Sequence, residues 1–316
     1  MMKILVTGCC GYLGSQLVRD LLKYNFKVKG IDNFIRNNGN SLLELISNSN
    51  SNFEFIRGDI CYREIMEKCL KDVDFIVNLV GIVGEPACNR NEDLAKLYNA
   101  DMINQLIDLN KNKIPILQSS TGSVYGSVPA GTCNEATVPN PISWYAQTKL
   151  IGEKYLTNYA PNYLIYRLAT VYGVSPNIRL DLLINDLTYK AVKDRSLVIF
   201  QKEFRRTFLH VKDISLAFIH GIINFNKMKN QTYNVGDEKG NWTKEEIAEL
   251  LKQRTKCSVF YGENGYKDND QRNYSYVCDK IKQTGWKPTI TIEEGIEELI
   301  KAIPLLNIKT EYDAKI

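Results

Sequence analysis

The sequence has 316 residues, 44% of them hydrophobic and 24% charged, enough for one large domain or two ordinary ones with a sizeable core. Its net charge of +4 comes from 40 basic and 36 acidic residues with no basic cluster, which argues against nucleic acid and anionic membrane as partners. No apolar run is long enough to span a bilayer, and a strand begins at once with no leader pattern before it, so a cytoplasmic setting is expected.

Lys3 to Val6 reads as a short buried strand, and Ser15 to Lys23 has the apolar spacing of a helix, with Leu17, Val18, Leu21 and Leu22 on one face. Between them stands Thr7-Gly8-Cys9-Cys10-Gly11-Tyr12-Leu13-Gly14. Strand, glycine turn and helix present free backbone N–H groups to a phosphate, and the helix N-terminus adds roughly half a positive charge. Gly8 would make the turn, Gly11 would let the backbone approach a pyrophosphate, and Gly14 would let helix and strand pack closely. Tyr12 and Leu13 belong to the same turn and are placed against the cofactor with them. Phe26 to Ile31 reads as a second strand ending in Asp32, whose carboxylate can bind both hydroxyls of an adenosine ribose and repel a 2′-phosphate. With Asn33 beside it, this favours NAD over NADP.

The eight cysteines, Cys9, Cys10, Cys61, Cys69, Cys88, Cys133, Cys257 and Cys278, include no Cys-x-x-Cys pair, and the histidines do not flank them. Reduced, mostly buried thiols are expected and no metal site. A polar stretch from Asn33 to Asn52 carries a short helix around Leu42 to Ile46 and then an Asn/Ser loop. Phe53 to Ile56 is a third strand, followed by Asp59 and Ile60, where the aspartate can meet an adenine or cap the next helix. Val73 to Val80 is a nearly unbroken apolar strand, as a parallel sheet covered on both faces requires. Its end, Leu79, Val80 and Gly81, is placed along the cofactor, where small residues permit close approach. Glu92 to Lys111 reads as a long amphipathic helix and Ile114 to Gln118 as the fifth strand, completing a doubly wound alternation.

That strand runs into Ser119-Ser120-Thr121-Gly122-Ser123-Val124-Tyr125-Gly126, and hydroxyls at a strand's carboxyl end would line a cleft. Tyr145 and Lys149 then open a helix on one face, one turn apart. A neighbouring ammonium favours a phenolate, which makes proton transfer with an alcohol or carbonyl feasible near neutral pH.

These stretches, with Arg206-Thr207-Phe208-Leu209-His210-Val211-Lys212-Asp213 and Tyr233-Asn234-Val235-Gly236 further on, resemble the extended short-chain dehydrogenase/reductases of the NAD-dependent epimerase/dehydratase family. The resemblance runs from Lys3 to about Leu299. It implies a Rossmann-like doubly wound α/β fold in residues 1–173, a smaller α/β lobe for a nucleotide-diphosphate sugar in 174–308 with segments returning to the first domain, and a tail in 309–316. It makes Tyr145 the acid/base, Lys149 the residue that binds the nicotinamide ribose, and Thr121, with Ser123, the hydroxyls beside the sugar. Arg206 and Arg272 fall where the family grips the diphosphate, a task suited to a guanidinium fork. A homodimer through Glu92–Lys111 and Tyr145–Asn158 is implied on the same ground. Dehydratases of the family carry acidic residues directly after the threonine; here those places hold Gly122 and Ser123.

Tyr163 to Val171 reads as a sixth strand, closed by Tyr172-Gly173 and followed by a crossing segment to Leu182. A helix from Leu182 to Lys193 and a strand from Leu197 to Phe200 follow. Arg167 and His210 read as structural. Thr243-Lys244-Glu245-Glu246 and Thr291-Ile292-Glu293-Glu294 each fit a capping box, with a strand at Ser258 to Tyr261 between the two helices. The function expected is nucleotide-sugar epimerisation, most plausibly at C4, by transient oxidation to a keto sugar. A 4-keto-sugar reductase is the alternative, a decarboxylase a weaker one, and a non-catalytic dinucleotide-binding protein a remote one.

Overall fold

Strands that are apolar along their whole length need cover on both faces, and the chain provides it by alternating them with amphipathic helices. In the computed structural model, which describes residues 1–35, 39–47, 52–128, 131–262 and 273–306, β1 (Lys3–Thr7), α1 (Tyr12–Lys23), β2 (Lys27–Asp32), α2 (Gly39–Ser47), β3 (Phe53–Arg57), α3 (Arg63–Cys69) and β4 (Phe75–Asn78) form the first half of a doubly wound unit. The second half begins with α4 (Glu85–Arg90), α5 (Glu92–Lys96), a π-helical turn at Leu97–Asp101 and α6 (Met102–Leu109). It continues through β5 (Ile116–Thr121), a 3-10 turn at Gly122–Tyr125, β6 (Thr132–Cys133), α7 (Trp144–Tyr159) and β7 (Tyr163–Leu168).

From there the chain alternates between sheets: β8 (Thr170–Tyr172), α8 (Leu183–Lys193), β9 (Ser196–Phe200), β10 (Arg205–His210), α9 (Val211–Ile223), α10 (Phe225–Met228) and β11 (Gln231–Val235). The remainder is β12 (Asn241–Thr243), α11 (Lys244–Thr255), β13 (Ser258–Gly262), β14 (Ser275–Tyr276), α12 (Asp279–Lys282) and α13 (Ile292–Ala302).

The seven-stranded sheet has the order β3-β2-β1-β4-β5-β7-β11, every pairing parallel. The order reverses between β1 and β4, so a crevice opens beyond the carboxyl ends of these strands. One face is covered by α1 and α9 around Leu17, Leu21, Phe218 and Ile222, the other by α3, α6 and α7 around Met66, Ile103, Leu106 and Leu156. Three short sheets, β12-β10-β8, β13-β9 and β14-β6, accompany the main one. The first two help frame a separate core around Ile184, Leu197, Phe208, Ile247 and Ile296. Among the described residues no helix is long and apolar enough to cross a membrane.

Several boundaries differ from the sequence reading for identifiable reasons. Helix α1 starts at Tyr12 rather than Ser15, because the turn closes at once through a Gly11 N–H to Gly8 carbonyl bond of 3.1 Å. Leu79 and Val80 leave the sheet because the Thr7 hydroxyl takes their N–H groups at 3.2 and 3.4 Å. The long helix is broken by the π-helical turn and stops at Leu109, where Asn110 exchanges side-chain bonds with Ile114. Strand β5 extends through Thr121, so the first three hydroxyl residues are strand and not turn. The single strand expected over Tyr163 to Val171 is two: β7 stays in the main sheet, and β8 pairs with β10. Both capping boxes are present, at Thr243 and Thr291. The expected tail at 309–316 lies outside the described residues, as does the loop from Asn48 up to Ser51.

Candidate active site

The crevice is edged by side chains that bond across the strand ends. The Thr7 hydroxyl donates to Asn78 Oδ1 at 2.6 Å, Asn78 Nδ2 to Gln118 Oε1 at 2.7 Å, and Gln118 Nε2 to the Ser119 carbonyl at 2.8 Å. These buried bonds fix β1, β4 and β5 side by side, and with them the loops that follow.

Gly8 adopts φ +69°, which only glycine takes at no steric cost, and turns the chain out of β1. A side chain on Gly14 would begin 2.0 Å from the Gly8 carbonyl oxygen, so helix and strand touch backbone to backbone there. Gly11 has no side chain to cap α1 and the first turn holds no acidic residue, so nothing there would oppose an anion at the helix N-terminus. This cradle fits a pyrophosphate. The Tyr12 side chain is taken up elsewhere: its buried hydroxyl donates to the Gly173 carbonyl at 2.7 Å, while Ser175 Oγ donates to the Tyr12 carbonyl at 2.5 Å. Asn177 Nδ2 reaches the Cys10 carbonyl at 2.9 Å, so the crossing segment clamps the cradle from the far side. Leu13 is half-buried and packs against the core of the α1 face.

Asp32 closes β2 with its carboxylate held by two backbone amides, Cys10 at 3.0 Å and Phe34 at 2.9 Å. Burial pushes its pKa up, against the pull of those amides. Asn33 donates through Nδ2 to Asp59 Oδ2 at 2.9 Å and to the Tyr98 hydroxyl at 3.1 Å, and Tyr98 donates to the same Asp59 oxygen. Burial raises the Asp59 pKa, yet bonds from Tyr98, Cys61 and Asn33 outweigh it and hold the carboxyl below its usual range. The helix-cap reading of Asp59 is thereby corrected: α3 begins after Tyr62, and Asp59 instead turns the chain by accepting the Cys61 N–H at 2.9 Å. Ile60 is a core residue, 3% exposed, its side chain turned among Leu5, Ile31 and Ile76.

Cys9, Cys10 and Asp32 bring ligand atoms within 4.8 Å of one another. The two thiols are fully buried, 3.8 Å apart, and burial drives the Cys9 thiol far up its range, so it stays protonated and acts as a small apolar side chain. All eight cysteines are free of disulfides, and all but Cys61 are buried.

Thr121 ends β5, and its hydroxyl lies 3.0 Å from that of Ser123 and accepts the Ser123 N–H at 3.2 Å. Helix α7, capped by the Ser143 side chain at 3.3 Å, packs against β5 and the turn that follows it. This brings Lys149 to the carboxyl end of β5, with Tyr145 one turn before it on the same helix. Tyr145 is nearly buried among Cys88, Ala95 and Trp144. Lys149 Nζ donates to the Ser119 carbonyl at 3.2 Å, and a side chain on Gly81 would begin 3.0 Å from that ammonium. The loop after β4 therefore runs directly over Lys149, with Val80 against Gly8, so Gly8, Val80, Gly81 and Lys149 form one continuous edge.

Burial lowers the Lys149 pKa to about 8, opposed by nearby Cys88 and Glu153. Chemistry that needs this ammonium is present below that pH and lost above it. The alkaline limb of kcat/KM, which reports the free enzyme, should accordingly fall near pH 8; a profile level to pH 10 contradicts it.

Asn99 was not identified from the sequence. It sits in the π-helical turn, buried together with Tyr98 and Ala100. Its Nδ2 donates to the Ile82 carbonyl at 3.0 Å and Thr148 Oγ1 at 3.1 Å, tying the Gly81 loop to α7.

Arg206 lies on β10 and lines a cleft with Leu168, Thr170, Tyr274 and Tyr276. Arg205 points elsewhere, to Glu246 at 3.3 Å and the Asn241 carbonyl. Arg272 lies outside the described residues. His210 is structural: fully buried at the start of α9, its Nε2 is 2.8 Å from Glu298. The space beside Gly122 is already filled, since a side chain there would begin 1.3 Å from the Tyr276 hydroxyl. Tyr274 donates to the Gly122 carbonyl, and the two tyrosine rings stack at 6.0 Å.

Residues 4–236 match the NAD dependent epimerase/dehydratase family. The chain is 29% identical over 314 residues to a protein of Methanocaldococcus jannaschii provisionally named as a UDP-glucose 4-epimerase, covering 94% of this chain and 97% of the relative. It is 31% identical over 247 residues to the uncharacterized UDP-glucose epimerase YtcB of Bacillus subtilis, covering 74% and 77%. The solved structure of UDP-glucuronic acid 4-epimerase from Bacillus cereus, in complex with UDP-glucuronic acid and NAD, superposes with a TM-score of 0.85 at 26% identity, over 96% of this chain and 99% of that one.

Proposed function

The chain belongs to the NAD-dependent epimerase/dehydratase family, and from that premise we propose that it is a nucleotide-sugar 4-epimerase working through a transient keto sugar. NAD, when bound, supplies a hydride acceptor that can be restored within one turnover. The cradle of Gly8, Gly11 and Gly14 holds its pyrophosphate, Asp32 its adenosine ribose, and Lys149 its nicotinamide ribose. Tyr145 takes the proton of the sugar hydroxyl and later returns it to the same oxygen, which Thr121 and Ser123 orient. Lys149, as an ammonium, favours the ionised phenol. Arg206 pairs with the diphosphate, and a cytoplasmic setting agrees with this substrate class.

The observation that carries the choice among the family's reactions is at Gly122. Eliminating water from a keto sugar needs an acid and a base beside the ring. Gly122 offers neither, Tyr276 occupies the space a carboxylate would take, and the next residue is a serine. What remains is a hydroxyl-lined site suited to moving a proton and a hydride reversibly.

Denaturing freshly purified protein and identifying the released small molecules by mass spectrometry tests this reading. Stoichiometric NAD is expected. An empty protein that binds added NADPH more tightly than NADH overturns the reading in favour of a reductase. In the Asp32→Ala variant the preference for NAD over NADP should fall about tenfold, the ratio given by about 1.4 kcal/mol of lost repulsion. An unchanged ratio of dissociation constants contradicts the role of Asp32.

A further inference from the structure

One buried ion pair joins α7, which carries Tyr145 and Lys149, to β7, the strand that pairs with β5. Glu153 lies one helical turn beyond Lys149 on α7, and Arg167 Nε reaches its two carboxylate oxygens at 3.1 and 3.2 Å, with Nη2 at 2.7 Å. The Ser120 hydroxyl donates to the same carboxylate at 2.5 Å. Ser120 and Arg167 are register partners in β5 and β7, and Ser120 immediately precedes Thr121. Both charged side chains are almost fully enclosed, 8% and 5% exposed, and the guanidinium stands 4.9 Å from the centre of the Tyr125 ring. Desolvating two charges is costly, and an apolar pair of similar volume fills such a space with no loss of stability in many proteins. The ionic pair therefore calls for a reason beyond stability.

We propose that Glu153 and Arg167 are a positioning pair for the active site: with Ser120 they lock α7 to the end of β5, so that Tyr145 and Lys149 stay aligned with Thr121, and Glu153 supplies the counter-charge nearest to Lys149 on its own helix. This rests on the reading of Tyr145 and Lys149 given above. The groups around the Lys149 ammonium are Glu153 from α7, Cys88 from α4, the Asn99 amide from the π-helical turn and the Ser119 carbonyl from β5, with Tyr145 one turn earlier on α7. Glu153 is thus the carboxylate of the set, and Arg167 and Ser120 hold it in place. Register and charge are separable contributions, because Asp keeps the charge with a shorter reach and Gln keeps the reach without the charge.

The test compares Glu153→Gln and Glu153→Asp, with Arg167→Lys as a conservative partner. Each should lower kcat by about tenfold or more at little-changed KM, the scale of a sub-ångström misalignment of reacting groups. Only Glu153→Gln should also move the alkaline limb, to lower pH by about half a unit or more, because it removes an anion that supports the ammonium. Carbon-13 lysine NMR, with Lys149→Met identifying the resonance, should show the same displacement without reference to turnover. If Glu153→Gln fails to fold, reduced kcat with an unmoved limb in Glu153→Asp and Arg167→Lys still supports the positioning role, and full kcat in both overturns it. Variants that lose only thermal stability, with kcat and the Lys149 titration unchanged, make the pair a structural brace and nothing more. Full turnover in Tyr145→Phe defeats the underlying reading instead; an inactive Tyr145→Phe beside an unperturbed Glu153→Gln defeats only this inference.

Discussion

Replacing Tyr145 with phenylalanine is expected to lower turnover by about a hundredfold or more, the usual scale for a lost acid/base group, while the protein keeps its dinucleotide. The side chain is nearly buried beside Cys88 and Ala95, and phenylalanine keeps the ring that fills this space. Stability should therefore change little. What disappears is the hydroxyl able to accept and return a proton at the sugar oxygen. Thr121 cannot replace it, because its own oxygen is already engaged by Ser123 and an aliphatic hydroxyl is a far weaker acid than a phenol. Steady-state assay of the variant, with its NAD content measured in parallel, separates the two effects. Turnover near that of the unmodified protein removes Tyr145 from the chemistry.

The second large effect is expected at Gly14. Its added methyl in Gly14→Ala would start 2.0 Å from the Gly8 carbonyl oxygen and 2.9 Å from Cys9 Cα, and both neighbours are backbone. A flexible side chain could swing aside; a turn held by the Gly11 N–H bond to Gly8 at 3.1 Å cannot do so without opening the cradle. The variant should lose more than about 4 kcal/mol or fail to fold, in the range reserved for strain at a backbone contact, and should release NAD. Gly39→Ala is the control: nothing lies within 4 Å of a side chain there, and it opens helix α2, so denaturant unfolding should show a change below about 1 kcal/mol. Equal behaviour of the two variants contradicts the close-packing role of Gly14.

What the sequence disclosed was local. The glycine turn, Asp32 at a strand end, and the Tyr145 and Lys149 spacing are each encoded within a few residues, and the parallel sheet follows from strands too apolar to face water. The capping boxes at Thr243 and Thr291 are likewise written in four residues each. What stayed hidden depends on distant partners. Nothing near Tyr12 signals that its hydroxyl anchors Gly173, and nothing near Gly122 signals that Tyr276 fills its side. The separation of β8 from β7 is equally silent in the apolar run that contains both, because it is β10 that draws Thr170 to Tyr172 into another sheet. Asn99 left no trace of its own: its place depends on the Ile82 carbonyl and on Thr148, neither of them near it in the chain. Arg167, which the sequence marks as structural, gains a larger part through Glu153, its partner fourteen positions away.

The reaction itself can be followed with UDP-glucose and UDP-glucuronic acid carrying deuterium at C4, the products identified by proton and carbon NMR while absorbance at 340 nm is recorded. The account predicts that whichever of these is turned over is converted to its C4 epimer with the deuterium retained, and with no net reduced cofactor formed or consumed. Conversion that draws on added NADH or NADPH mole for mole, or loss of the C6 hydroxyl as water, would contradict it.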